Sequence, residues 1–396
     1  MTRRVPKTGP PHWVPPRLSH ESLTLDIDVI TPMFGGGYEP GQVDADCVVR
    51  AAEIRGHLRY WWRAVGAARF SSPKELFDAE EGLWGSTECP GTVRTEVRIV
   101  NPGRSRPYTA IAGKPSSKTG SGVGYFLFPF QAKKTGTPGA EAREDVRFSL
   151  RLEVPGSRRE EVERAVRAWL TFGGVGARTR RGCGSLRGPK EYLPPPDEPD
   201  FRGWLAKIAP ASPPNSPLTS VLSVVLLGPK ANDAMDAWRQ LATFWAQFRK
   251  GHVGGVPYQS MSGSHWADYD TLSSTPHARM QRFPMNKPFL GLPLIYQKFR
   301  GAPFSGTLEP EGSGRMASPV ILKPVGLADG STSPMIALLA AKEPSQIRIG
   351  DVQHGLAANP DDPVLRRLRT NHPLDAVVAA ARERWGKGLL KFRVGG

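Results

Sequence analysis

The chain has 396 residues, of which 39% are hydrophobic, and 53 Lys and Arg stand against 37 Asp and Glu. The length allows two domains of ordinary size, and the composition excludes a largely disordered chain. The formal charge of +16 favours a polyanionic partner such as a nucleic acid. A charge that only keeps the protein soluble is the alternative.

The first half of the chain predicts a strand, a helix, two strands, a helix and a strand. Alternating apolar residues indicate the strands, and apolar residues at helical spacing indicate the helices. This βαββαβ order is that of a ferredoxin-like unit. The predicted strands are 22–30, 92–100 and 146–154, the helices are 53–69 and 158–172, and a short extended piece follows the Gly-rich run 173–188.

The second half repeats this order after a proline-rich stretch. Residues 194–217 contain eight prolines, which makes them the best candidate for a linker. We therefore predict an α+β protein with two tandem ferredoxin-like (RRM-like) domains, 1–193 and 218–396, carrying insertions at 101–145 and 251–316. The predicted strands of the second unit are 220–227, 317–323, 335–341 and 389–394, and its helices are 232–250 and 374–385.

An arginine stripe on the first helix is one candidate binding surface. Arg55, Arg59 and Arg63 follow one another at intervals of four residues, so they share a helix face that is offset from the apolar face. Guanidinium groups in a row suit a phosphate backbone, and only Glu53 is close in sequence as a counter-charge. A helix face that is merely solvated is the alternative.

The Gly-rich run 173–188 is the second candidate. It contains six glycines and four arginines, and glycine lets backbone N–H groups form an anion-binding concavity. The run lacks the GK[ST] of a P-loop and follows a helix, so neither nucleotide-binding fingerprint fits and an extended polyanion is favoured. A flexible basic loop is the alternative. The predicted contact residues are Gly174, Gly176, Arg178, Thr179, Arg180 and Arg181, with Arg315 added from the downstream segment 312–324.

Motifs of catalysis and metal binding are absent from the sequence. It has no HExxH, no GxSxG and no pair of CxxC motifs. Cys47, Cys89 and Cys183 are too few and too scattered for a disulfide scaffold or a zinc site. We predict no cofactor and no metal. The carboxylates that could bind a metal, but for which a solvated or backbone-bonding role is preferred, are Asp26, Asp28, Asp44 and Asp46.

The sequence also lacks the features of an exported or membrane protein. No window reaches the roughly 18 apolar residues of a membrane helix, and the N-terminus has no apolar core of signal-peptide length. The few, scattered cysteines fit a reducing compartment. We therefore expect a cytoplasmic protein without a membrane association.

Four motifs, in this order, resemble the RAMP superfamily of CRISPR proteins, and within it subunit 1 of the Cmr (type III-B) effector complex. They are TPMFGGG after the first strand, EIRGHLRYWWRA in the first helix, GGVGARTRRGCGSL in the Gly-rich run and GRMASPVILKP far downstream. The long Pro-rich N-terminus and the extended loops depart from the family pattern. The residues that match the family motifs are Arg55, Gly56, His57, Arg59, Arg63, Gly173 to Gly184 and Arg315 to Pro319.

The resemblance implies two ferredoxin-like domains in tandem and a place near the end of the complex that holds the 3′ region of the guide RNA. It implies binding of guide RNA and target RNA without cleavage, with other RAMP subunits as partners. Two alternatives remain open. One is an endoribonuclease that processes guide precursors with His57 as acid or base. The other is a protein–protein scaffold whose charge is incidental.

Overall fold

The structure is a computed structural model that describes residues 20–37, 41–112, 122–132, 136, 139–210, 218, 221–256, 259, 263–274, 282–296, 304–312 and 314–394. Within these ranges the chain is an α+β protein with four sheets, of four, five, four and three strands. No helix of the described part is both long enough and apolar enough to cross a membrane.

The first half of the chain builds one four-stranded antiparallel sheet with two long helices packed together on it. The elements in chain order are β1 (His20–Val29), β2 (Met33–Phe34), α1 (Ala51–Gly66), α2 (Pro73–Trp84), β3 (Arg94–Asn101), β4 (Arg104–Pro107), α3 (Tyr108–Ala112), β5 (Glu141–Glu144), β6 (Arg147–Pro155), α4 (Arg159–Phe172), β7 (Leu186–Arg187) and α5 (Glu198–Ile208).

The second half builds another four-stranded antiparallel sheet. Its elements are β8 (Leu222–Leu227), α6 (Ala234–Lys250), α7 (Asp268–Ser274), β9 (Arg282–Pro284), β10 (Leu294–Tyr296), β11 (Gly306–Pro310), β12 (Val320–Gly326), β13 (Thr332–Leu339), β14 (Gln346–Ile349), β15 (Val352–Ala357), α8 (Pro363–Leu368), α9 (Pro373–Trp385) and β16 (Leu390–Arg393).

The two four-stranded sheets share one strand order. The first runs β3-β6-β1-β7 and the second β12-β13-β8-β16, so each places its own strands in the order second, third, first, fourth. Every neighbouring pair in both sheets is antiparallel. In each unit, one long helix follows the first strand and another precedes the last.

Both predicted insertions contain sheets of their own. β4 and β5 of the first insertion pair with β2 in a three-stranded sheet. In the second, β9, β10 and β11 join β14 and β15 in a five-stranded sheet. The prediction missed β14 and β15, which lie between β13 and the last helices, because their polar sequence carries little apolar alternation.

The first half of the chain also contains a helix, α2, that the prediction did not include. Its start has a recognisable signal, since Ser72 is the N-cap, Pro73 follows it, and the Ser72 side chain accepts a hydrogen bond from the Glu75 N–H. Leu83 and Trp84 at its end are buried. The helix was overlooked because only the regions with strong apolar periodicity were assigned.

The predicted linker begins with packed structure. Residues 198–208 form α5, whose buried side chains Phe201, Leu205 and Ile208 belong to the core under the first unit. The prolines flank or start this helix rather than preventing it, because proline is tolerated in a helix's first turn. The prediction of a linker over the whole of 194–217 was therefore wrong for 198–208, while 211–217 lies outside the described residues.

The second sheet is buried on both faces. Alternate residues of β13 belong to different cores: Met335 and Ala337 to the core shared with the first unit, Ile336 and Leu338 to the core under α6 and α9. A strand covered on both faces reads as a continuous apolar run. This explains why the observed boundaries of β12 and β13 lie about three residues from the predicted ones.

Candidate functional site

The predicted arginine stripe on α1 is largely neutralised by a carboxylate from α2. Arg59 Nε lies 2.8 Å from Glu80 Oε1, and Arg63 Nη1 lies 2.6 Å and 2.8 Å from the two Glu80 oxygens. Glu80 itself is buried. The expectation that only Glu53 supplies a counter-charge to the stripe was therefore wrong, because the missed helix α2 brings a second carboxylate against it. Arg55, one turn earlier, is exposed.

The N-terminal half of α1 contacts the Gly-rich run through Glu53. The Gly176 N–H donates to Glu53 Oε1 at 2.8 Å, and His57 Nε2 lies 3.5 Å from the same oxygen. Burial alone would raise the pKa of Glu53, but the contacts with His57 and Gly176 hold the pKa below its ordinary value. Glu53 thus stays ionised and anchors the run to the helix.

The Gly-rich run folds back on the segment that follows β1. The Ala177 N–H donates to Phe34 O at 2.6 Å, the Gly184 N–H to Pro32 O at 3.1 Å, and the Val175 N–H to Gly184 O at 3.0 Å. A Cβ at Gly184, whose φ is +60°, would lie 2.0 Å from Val175 O. The glycines therefore permit close packing of two backbone segments.

This packing changes the interpretation of the run as a backbone anion site. The Gly176 N–H is occupied by Glu53, and Gly174 is buried against Gly184 O and Thr179, where a Cβ would meet both. The expected anion-binding concavity of backbone N–H groups is thus filled by the protein's own acceptors. What the run presents outward is its arginine side chains.

These arginines lie at the junction between the two units. Arg180 Nη1 donates to Ser318 O at 2.8 Å, and Arg181 Nη1 donates to Val320 O at 2.6 Å, so both reach the second unit. Arg178, in a left-handed backbone conformation with φ of 59°, donates to Phe126 O at 2.5 Å. Their hydrogen bonds go to carbonyl oxygens, which leave the positive charge uncompensated.

A cleft of about 790 Å³ opens at this junction. Four arginines line it, from the Gly-rich run, from α6 and from the segment before β12, and its lining of described residues contains no Asp or Glu. Burial lowers the pKa of Arg181 to about 9, and repulsion from Arg178 and Arg249 adds to this shift. The four arginines are Arg178, Arg181, Arg249 and Arg315.

Aromatic side chains share the cleft with these arginines. Phe128 is 66% exposed and Tyr125 is 40% exposed, both in the first insertion, and the buried Trp245 lies under the Arg181 guanidinium at 5.0 Å from its ring centroid. The sequence shows GYFLFPF as an aromatic patch, but its role was not predicted. Arg249 was missed as well, because its place on α6 gives no sign of the junction.

The predicted site residues therefore separate into two places. Arg178, Arg181 and Arg315 line the cleft, and Arg180 stands beside it on Ser318. Thr179 starts the 3-10 turn that carries these arginines. His57 lies at the Glu53 anchor, and Arg59 and Arg63 lie on Glu80.

The carboxylates considered as metal ligands have other contacts. Asp28 pairs with Arg147 at 2.6 Å, and Asp44 Oδ1 accepts from the backbone N–H groups of Asp46 and Cys47. In the part of the chain that is described, no three His, Cys, Asp or Glu side chains are grouped so as to hold a metal ion.

Comparison with known proteins adds to this geometry. The RAMP superfamily model matches residues 26–187. The CRISPR system Cmr subunit Cmr1-2 of Pyrococcus furiosus is 30% identical over 178 residues, which are 41% of this chain and 92% of that protein. Cmr1-1 of the same organism is 30% identical over 142 residues, 35% of this chain and 40% of that protein.

A solved structure extends the similarity beyond the aligned sequence. The crystal structure of apo Cmr1 from Pyrococcus furiosus superimposes with a TM-score of 0.57 at 16% identity, covering 95% of this chain and 100% of that chain. At this identity the likeness concerns the fold. It extends to the second half of the chain, which the superfamily model does not match.

Proposed function

The chain belongs to the RAMP superfamily, among the Cmr1-type subunits of CRISPR systems, and from this premise we propose that it is a non-catalytic, RNA-binding subunit of a type III-B Cmr ribonucleoprotein. Its ligands are the 3′ region of the guide RNA, the target RNA or both, and its protein partners are other RAMP subunits. It acts in the cytoplasm in antiviral defence.

We infer further that the two four-stranded units are tandem ferredoxin-like domains, 1–193 and 218–396. The shared strand order supports this, since second-third-first-fourth is the order that two split βαβ units give. The junction between the units is then the junction between the domains. The Gly-rich run of the first reaches it with Arg180 and Arg181.

One observation carries the RNA-binding proposal, and it is the cleft lined by four arginines without a carboxylate. Such a concentration of uncompensated charge costs free energy through mutual repulsion unless an anion binds there. Phosphate oxygens match the planar donor fork of arginine. Contacts of this kind bind RNA with strong salt dependence and little sequence preference.

The salt dependence of RNA binding tests the proposal. Each phosphate contact removed from a single-stranded RNA should lower the slope of log affinity against log salt by about 0.7. The double variant Arg178→Gln with Arg315→Gln should therefore show a slope smaller by about 1.4, measured by fluorescence anisotropy with a labelled oligoribonucleotide.

The matched control is Arg202→Gln with Arg366→Gln, which removes the same charge from exposed positions outside the cleft. It should leave the slope close to that of the unmodified protein. Equal effects of the two double variants would show that binding follows net charge rather than the cleft. The RNA recovered from the same samples should be intact, and cleavage that disappears in His57→Ala would favour the ribonuclease alternative instead.

A further inference from the structure

The cleft at the junction displays aromatic rings that phosphate binding does not use. Six large hydrophobic side chains of the described residues are exposed, and three of them are aromatic: Phe77, Tyr125 and Phe128. Tyr125 and Phe128 both line the cleft. Exposed rings concentrated beside arginines need an explanation, because apolar surface left in water gives up the free energy of burial.

The rings are held in place by the backbone that carries them. Residues 123–125 and 128–130 form two consecutive 3-10 turns, and Phe126 between them is fully buried. Arg178 fixes the same segment, because its Nε donates to Phe126 O. The positions of Phe128 and Arg178 are therefore coupled, with one ring and one guanidinium group presented to the same cleft.

The opposite side of the cleft is apolar backbone and side chain from the second insertion. Leu290, Leu292, Leu294 and Met316 line it, and Leu292 and Met316 pair through mutual backbone hydrogen bonds of 3.1 Å. The volume of about 790 Å³ lies within the range of pockets that take small organic ligands, roughly 300–1,000 Å³. A flat ring system with an attached phosphate matches these walls.

Double-stranded RNA cannot use such walls. In an A-form helix the bases are stacked inside, and proteins contact mainly phosphates and 2′-hydroxyl groups. An unpaired base exposes its π-face, which stacks on aromatic side chains or on guanidinium planes. The combination of exposed rings and arginines therefore distinguishes an unpaired nucleotide from a duplex.

We propose that the cleft binds an unpaired nucleotide of a single-stranded RNA segment, with its base against Phe128 and Tyr125 and its phosphates on Arg178 and Arg315. This deepens the proposed function and rests on it, since it specifies which form of RNA the same cleft takes. A consequence is preference for single-stranded over double-stranded RNA of one sequence.

The experiment compares the affinity of the full chain for a labelled, unstructured oligoribonucleotide and for the same strand annealed to its complement. Phe128→Ala should weaken single-strand binding about 5- to 100-fold, as removal of a stacking ring does, and change duplex binding much less. Phe128→Trp should keep single-strand affinity, whereas Phe128→Leu, apolar without a π-face, should lose it. Phe77→Ala, an exposed phenylalanine on α2 that does not line the cleft, is the control and should behave like the unmodified protein.

The outcomes separate this inference from the proposed function. If the unmodified chain binds neither RNA form, the proposed function fails. If it binds RNA but Phe128→Ala and Phe128→Leu bind single strands as tightly as it does, stacking is overturned and phosphate binding stands. Loss of association with a neighbouring protein subunit in Phe128→Ala, with RNA affinity unchanged, would assign the rings to a protein partner and also overturn the inference.

Discussion

The arginines of this chain fall into two groups according to what their guanidinium groups contact. Arg59 and Arg63 contact the buried carboxylate of Glu80, whereas Arg178 and Arg181 donate to backbone carbonyl oxygens. A carboxylate neutralises a guanidinium group, but a carbonyl oxygen only orients it. The first pair therefore ties α1 to α2, and the second pair is left with charge for a ligand.

Glu80→Gln tests the structural role of the first pair. The variant keeps the shape of the side chain but removes the charge that holds two arginines, so the free energy of unfolding should fall by about 1–3 kcal/mol. The lower part of this range is expected because the Arg59 and Arg63 side chains are 29% and 44% exposed, and water screens them. Urea denaturation followed by circular dichroism measures the change.

Glu88→Gln serves as the control for this substitution. Glu88 is an exposed carboxylate in the loop just after α2, so its removal should leave the unfolding free energy within about 0.5 kcal/mol. If Glu80→Gln were as stable as Glu88→Gln, the contacts between α1 and α2 would contribute nothing measurable. Arg59 and Arg63 would then return as candidates for RNA contacts.

At the scale of elements, the end of α4 is held by a lysine from the second unit. Lys323 on β12 is fully buried, and its Nζ donates to Leu170 O at 2.9 Å and to Gly173 O at 2.7 Å. The last carbonyl groups of a helix lack partners within the helix, and a cationic or donor group satisfies them. Lys323 thus fixes the start of the Gly-rich run from the opposite unit.

The burial of Lys323 predicts how stability depends on pH. Burial lowers the pKa of its amine to about 7, below the value of about 10.4 expected in the unfolded chain. The unfolded state therefore binds the proton more readily between these values. The stabilisation is fully present above the unfolded pKa and is lost as the pH falls through about 7.

Lys323→Met isolates this effect. Relative to the variant, the unmodified protein should lose about 1.4 kcal/mol of unfolding free energy for each pH unit between pH 9.5 and pH 7.5, both values being about mid-window. Loss of the two hydrogen bonds adds a constant offset but no slope. Lys342→Met, at an exposed position, should follow the unmodified protein, and parallel pH profiles for Lys323→Met and the unmodified protein would contradict the prediction.

The element scale also shows where pattern recognition succeeds. The strong apolar periodicity of β1, α1, β6, α4 and α6 located these elements to within a few residues. Each is half-buried, so its period is visible in the sequence. Strands β12 and β13 lack that period because both faces are buried, and α2 was missed although its N-cap signal is present.

At the scale of the whole molecule, the two units are joined by a common core. One hydrophobic cluster contains Trp169 and Phe201 from the first half together with Val225, Met335 and Phe392 from the second. The second sheet therefore lacks a finished core of its own on that face. Separate folding of the two halves would expose this apolar surface to water.

We therefore expect the chain to unfold in one cooperative transition. Tryptophan fluorescence and far-ultraviolet circular dichroism should give the same denaturation midpoint, as they do for a two-state protein. A two-domain chain with a polar interface would instead show two separated transitions. Two midpoints would contradict the shared core, and a single midpoint shifted equally for both probes by Glu80→Gln would support it.

The sequence by itself determined the α+β class, the elements with a visible period, the RAMP resemblance and the importance of the Gly-rich run with its arginines. Each of these depends on local order: the spacing of apolar residues, or residue types close together in the chain. The tertiary structure alone decided that Glu80 neutralises the stripe and that the run's own partners fill its backbone sites. It also gathered Arg249, Arg315 and Phe128 into one cleft with Arg178, because those residues are far apart in sequence and only the packing of the two units brings them together.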